Sequence, residues 1–256
     1  MSKLKVCGLT KMTQIQELIA MKVDFLGLIF FEKSPRYVMN HLTLQEISEI
    51  NHRAKVGVFV NEDLDKIIEI SEKADLHYIQ LHGDEDQNYI AELRNKLKPE
   101  IKIIKVFRIG TDSENLKFKI QNLQSNVDFL LFDTDSKAYG GTGKTFDWQI
   151  LNDLEITKPY LLSGGISLEN FNEIKDIKNI PFALDINSKF EMEPGNKDLE
   201  KIKQLYEKFS SFFLKQIRMK RPNSRIIQTC RNRMRLDHLA IFRLHDQTFA
   251  NNKDAE

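Results

Sequence analysis

The chain has 256 residues, 41% of them apolar and 29% charged, enough to bury one substantial core. No run of about 18 uninterrupted apolar residues exists, so no membrane span is expected, and Met1–Val6 lacks the apolar core and cleavage site of a secretory signal. The net charge of +1 conceals a body, residues 1–209, at −5 and a tail, residues 210–256, at +6, so the body is not a nucleic-acid binder by charge.

Short apolar or β-branched runs recur along the body: Lys3–Val6, Phe25–Phe30, Lys55–Val60, Tyr78–Leu81, Ile101–Phe107, Phe129–Phe132, Tyr160–Leu162 and Phe182–Ile186. Each is too short for a helix and reads as a buried strand. Segments of helical period lie between them. The first surrounds Ile15–Ile19. The second places Leu44, Ile47 and Ile50 behind Thr43-Leu44-Gln45-Glu46, a capping-box pattern. Leu64, Ile67 and Ile68 follow Asn61, a good N-cap residue. Ile90–Leu97 and the series Leu116, Ile120, Leu123 come next, then a short stretch after Asp147. Leu168, Phe171 and Ile174 stand behind Ser167, and Leu199, Ile202, Leu205, Tyr206 and Phe209 close the series. Eight strands alternating with eight helical segments predict a parallel sheet. An open doubly wound sheet is the alternative; a (β/α)8 TIM barrel fits the count and spacing better.

In such a barrel the site is built from the loops after the strands. The chemistry-bearing residues fall there: Cys7-Gly8 after the first strand, Arg36 after the second, Gln80 and His82 at the fourth, Arg108 after the fifth. Asp133 ends the sixth and leads into the glycine-rich Tyr139–Thr145; Ser163-Gly164-Gly165 follows the seventh, and Asp185 with Asn187-Ser188 ends the eighth. That asymmetry suggests an enzyme. Gly143-Lys144-Thr145 imitates the end of a P-loop, but Ala138 stands where the motif requires glycine, and Phe146 defeats G-x-G-x-x-G. Gly143, Gly164, Gly165 and Ser188 instead suggest a phosphate cradle of backbone N–H groups. The two cysteines, Cys7 and Cys230, form no C-x-x-C pair, so the expectation is a reducing, cytoplasmic setting.

These residues resemble a known family. Lys5-Val6-Cys7-Gly8-Leu9-Thr10, Lys33-Ser34-Pro35-Arg36-Tyr37-Val38, Gln80-Leu81-His82-Gly83, Asp133-Thr134 with Tyr139–Trp148, and Ser163-Gly164-Gly165-Ile166 are similar to the signatures of phosphoribosylanthranilate isomerase, in order, over residues 3 to about 209. The resemblance implies an Amadori rearrangement of N-(5-phosphoribosyl)anthranilate with no metal and no cofactor. It implies Cys7 as general base, Asp133 as general acid and Arg36 as the clamp on the anthranilate carboxylate. Gln80, His82 and Asp185 are expected to line the substrate pocket. A base must be thiolate, so the surroundings of Cys7 are expected to lower its pKa. A related histidine-pathway isomerase would carry aspartate in place of Cys7, and a non-enzymatic barrel would have no need of Cys7 and Asp133.

Two departures stand out. After the eighth strand many family members read S-S-G-V-E, whereas this chain reads Asn187-Ser188-Lys189-Phe190-Glu191, making Lys189 a further candidate for phosphate. The second is the tail. Seven of the eleven arginines lie in the last 47 residues. The expected organisation is therefore a barrel over residues 1–210 and a basic extension over 211–256 with little packed structure. No RNA-binding module is recognisable in the extension, so nucleic acid is not an expected partner. The expected partner is the phosphosugar-anthranilate substrate, and the expected assembly a monomer or homodimer.

Overall fold

A computed structural model of the chain describes residues 3–110, 113–123, 126–134 and 146–220, with only the backbone for 113–115 and 210–220. Eight strands form a closed barrel in sequence order: β1 (Lys3–Val6), β2 (Phe25–Ile29), β3 (Lys55–Phe59), β4 (Tyr78–Leu81), β5 (Lys102–Ile109), β6 (Phe129–Thr134), β7 (Tyr160–Leu162) and β8 (Ala183–Ile186). All neighbours are parallel, and β1 returns to β8 in the register Lys3↔Ala183 through Val6↔Ile186. That closure excludes the open-sheet alternative.

Helices α1 (Met12–Ala20), α2 (Leu44–Ser48), α3 (Leu64–Lys73), α4 (Gln87–Lys96), α5 (Ser113–Leu123) and α6 (Leu199–Lys220) occupy the expected positions. The capping box of α2 is present: the Glu46 N–H donates to Thr43 Oγ1, and the Thr43 N–H donates to the Glu46 carboxylate. The cap of α3 is Asp63, not Asn61. Asp63 accepts from the backbone N–H of Asp65 and Lys66, whereas Asn61 takes φ 49° and turns its amide oxygen to the Asp84 N–H.

The two segments after β6 and β7 are 3-10 turns, Trp148–Asp153 and Phe171–Asp176, rather than α-helices. In the second, the Asn170 amide accepts from the Ser167 N–H and donates to the Gly165 carbonyl, tying down the turn that leads into the 3-10 segment. A small antiparallel hairpin, β9 (Glu191–Glu193) with β10 (Asn196–Lys197), was not expected from the sequence. Helix α6 also continues past Phe209 to Lys220, through the change in composition, because no glycine or proline occurs from Leu199 until Pro222. The chain divides into two units, Met1–Tyr206 and Glu207–Glu256. The remainder of the predicted extension, residues 221–256, lies outside the described residues. Among the described residues no helix is long and apolar enough to cross a membrane.

Alternation fixes what the barrel encloses, because residues two apart on a strand share a face. Near the N-terminal ends of the strands the interior is apolar. Phe25, Val56, Leu131 and Leu161 form a buried cluster against which Tyr78, Phe129 and Phe182 pack. Ring pairs reinforce it, Phe25–Tyr78 at 5.2 Å and Phe129–Phe182 at 5.1 Å between centroids.

Candidate active site

The polar interior begins one step further up the same strands. Lys5 lies two residues before Cys7 on β1, and Asp185 is its register partner on β8. The Lys5 side chain is fully buried and donates to both Asp185 oxygens, at 2.9 and 3.0 Å, and to Gln80 Oε1 at 2.8 Å. Gln80, on β4, meets His82 Nδ1 through its Nε2 at 3.1 Å. His82 Nε2 faces Asp133 Oδ2, from β6, at 3.5 Å, while Asp133 Oδ1 accepts from the Thr134 N–H at 2.8 Å.

Cys7 sits directly after β1, buried, its N–H held by the Ile186 carbonyl. A Cβ on Gly27 of β2 would lie 2.9 Å from its sulfur, so the neighbouring strand leaves room for the thiol only as glycine. Burial pushes the Cys7 pKa up; Lys5 and Lys197 oppose this and Asp185 adds to it, and the net result lies above the ordinary thiol value. This reverses the sequence expectation of a lowered value, because the cost of desolvating a thiolate outweighs the two lysines. Lys5 itself, although burial pulls it down, is held above the usual lysine range by Asp185 and Cys7 and remains an ammonium.

A second network holds Arg36. The loop after β2 buries its guanidinium, and Nε and Nη2 form a fork on Glu191 at 2.7–3.0 Å. Lys197 also donates to Glu191, at 2.5 Å, and to Asn187 Oδ1 at 2.8 Å. Burial raises the Glu191 carboxyl, but Arg36 and Lys197 more than compensate and hold it below the usual range. The hairpin that carries Glu191 is clasped to the start of the chain: Thr10 Oγ1 donates to the Gly195 carbonyl at 2.7 Å, and Gln14 pairs with the backbone of Lys197.

The phosphate candidates divide. Gly164 and Gly165, after β7, take φ 86° and 68°. A Cβ on Gly164 would stand 2.8 Å from the Thr134 nitrogen and 3.1 Å from Asp133 Oδ1, so backbone and acid approach each other as only glycine permits. Ser188 opens a 3-10 turn Ser188–Phe190 after β8, with Lys189 exposed. Gly143 lies outside the described residues.

The strand ends thus carry Cys7, Gln80, His82, Asp133 and Asp185, with the Arg36 loop beside β1 through Gly8: a Cβ there would lie 2.7 Å from Arg36 Cδ. Sequence reasoning gave no role to Lys5, Glu191 or Lys197. The available signal was their position: a lysine inside a buried strand, and a charged pair bracketing Pro194-Gly195.

The family profile of N-(5'phosphoribosyl)anthranilate (PRA) isomerase matches residues 4–208. The chain belongs to that isomerase family. An N-(5'-phosphoribosyl)anthranilate isomerase of Parabacteroides distasonis is 39% identical over 207 residues, covering 80% of this chain and 91% of the relative. The solved phosphoribosyl anthranilate isomerase of Thermotoga maritima is 31% identical with a TM-score of 0.66, covering 79% of this chain and 96% of that one. A further isomerase structure, in complex with reduced 1-(o-carboxyphenylamino)-1-deoxyribulose 5-phosphate, is 28% identical with a TM-score of 0.64, over 81% and 97% of the two chains.

Proposed function

We propose that Cys7 and Asp133 are the base and the acid of this chain's reaction. The chain is an isomerase of tryptophan biosynthesis, converting N-(5-phosphoribosyl)anthranilate to 1-(2-carboxyphenylamino)-1-deoxyribulose 5-phosphate. Asp133 gives its proton to the ribose ring oxygen as the C1–O bond breaks, leaving a Schiff base between C1 and the anthranilate nitrogen. The Cys7 thiolate removes the C2 proton; that electron pair forms C1=C2 and the imine electrons return to nitrogen. The enolamine then loses its O2 proton and gains one at C1, giving the ketone. Two groups on separate sides of one small substrate suffice for these transfers.

The observation that carries this reading is the family match together with Cys7 and Asp133 at the same ends of β1 and β6. Arg36, with one edge on Glu191, offers Nη1 to the anthranilate carboxylate, for which a guanidinium fork suits better than an ammonium. Gly164, Gly165 and Ser188, with Gly143, cradle the phosphate, and Gln80, His82 and Asp185 line the pocket. We assign the reaction to the cytoplasm, whose reducing conditions keep Cys7 a thiol, and assign residues 211–256 no part in it. Purified protein added to freshly made N-(5-phosphoribosyl)anthranilate should form product, followed spectroscopically; no turnover by folded protein overturns the reading. Inorganic phosphate should compete with substrate if the cradle is correctly placed.

A further inference from the structure

We infer that Lys5 and Gln80 are positioning residues that lock His82 in its Nε2–H tautomer, so that the imidazole donates to Asp133 as that group becomes a carboxylate. The inference rests on the assignment of Asp133 as proton donor. Lys5 is an ammonium and can only donate. Its acceptors are the two oxygens of Asp185 and Gln80 Oε1, with the Cys7 thiol in hydrogen-bonding reach. Contact with Lys5 therefore decides which end of the Gln80 amide is oxygen. The other end is NH2, and it lies 3.1 Å from His82 Nδ1. An NH2 group donates, so Nδ1 must accept, and a neutral imidazole then carries its proton on Nε2. That nitrogen faces Asp133 Oδ2 at 3.5 Å, the oxygen not used by the Thr134 N–H.

The consequence is specific to one step. When Asp133 delivers its proton to the ring oxygen, negative charge grows on its carboxylate, and the Nε2–H is already aimed at it. Pre-oriented donors of this kind act most strongly where charge develops. The opposite tautomer would present a lone pair to that charge and oppose it. No bond to His82 is made or broken. Lys5 thereby serves both halves of the site: its charge faces Cys7 directly, and its hydrogen bond to Gln80 reaches Asp133 through two side chains. Burial makes the orientation durable, since Gln80 is 1% exposed and Lys5 fully enclosed, so water cannot replace either partner.

The test is the imidazole 15N spectrum of the full chain, recorded where the imidazole is neutral, with the His82 signals assigned by their loss in His82→Gln. The expected result is an acceptor-type Nδ1 and a protonated Nε2 in the wild type. Gln80→Glu replaces the donating NH2 with a second acceptor and should move the proton to Nδ1, lowering kcat about 10- to 100-fold with a much smaller change in KM. His82→Gln, whose amide nitrogen reaches the place of Nε2, should retain at least about tenfold more turnover than His82→Asn, whose amide stops at Nδ1. A wild-type proton on Nδ1 overturns the inference, and this holds even if Gln80→Glu fails to fold. So does a Gln80→Glu variant with reversed tautomer and unchanged kcat. Failure of the underlying assignment looks different: folded Asp133→Asn would turn over normally while the wild-type tautomer stayed as described.

Discussion

The barrel interior changes character along its axis. At the N-terminal ends of the strands Phe25, Tyr78, Phe129 and Phe182 fill it with rings and without a single ion pair among them. Further along, Gln80 stands two residues past Tyr78, Lys5 two past Lys3 and Asp185 two past Ala183, and the strand ends present Cys7, His82 and Asp133. The lower layer gains free energy from burial, at roughly 25 cal/mol for each Å² of apolar surface removed from water. The upper layer is burdened by it, because buried ions recover their desolvation cost only when every partner is in place. Stability and chemistry are therefore supplied by different levels of the same strands, and substitutions should separate them.

The largest expected effect is at the upper level. Cys7→Ala and Asp133→Asn should each lower kcat by roughly 10²–10⁴-fold, the range for one acid–base group, with circular dichroism and Tm little changed. In the wild type, the rate at which a small alkylating reagent modifies Cys7, read by mass spectrometry, should keep rising with pH past about 8.5, because burial holds the thiol above its ordinary value and only the thiolate reacts. A pH profile already flat at neutrality would contradict that ordering of forces. At the lower level Phe25→Ala should cost about 3–5 kcal/mol in a urea titration while the folded fraction keeps its turnover. A folded Phe25→Ala enzyme that loses kcat would show that the two levels are coupled.

Intermediate effects belong to the Arg36 network. Glu191→Gln removes the carboxylate that aligns the guanidinium and should raise KM about 10- to 100-fold, with less change in kcat. An unchanged KM would detach Glu191 from substrate binding. The smallest effect serves as a control outside the barrel. Thr43→Ala deletes the side-chain cap of α2 and should lower stability by about 1 kcal/mol without altering kcat or KM.

Much of this division was legible in the sequence, for local reasons. Parallel strands buried on both faces read as continuous apolar runs, which is why all eight were found, with β5 and β6 each running two residues further at the C-terminal end than expected. Cys7 and Asp133 were visible because they terminate such runs. The connections between them were not. Lys5 meets Gln80 75 residues away and Asp185 180 residues away, distances at which no period or cap carries information. The α3 cap was misplaced by two residues because Asn61 and Asp63 are equally good caps in isolation, and only the contact from Asn61 to the Asp84 N–H separates them. The direction of the Cys7 shift depended on burial, which a motif does not specify.

The hairpin formed by β9 and β10 has a consequence in time. It supplies Glu191, the partner of Arg36 155 residues earlier, and it fastens Thr10 and Gln14 of the opening segment to Gly195 and Lys197. At translation speeds of roughly 5–20 residues per second, the guanidinium waits on the order of ten seconds for its carboxylate. Throughout that interval the nascent chain holds a basic fork without its counter-charge, and the seam between its first and last strands is open. The hairpin that sets the fork directly follows the strand that closes the seam, so a nascent chain gains its substrate clamp only on becoming a closed barrel.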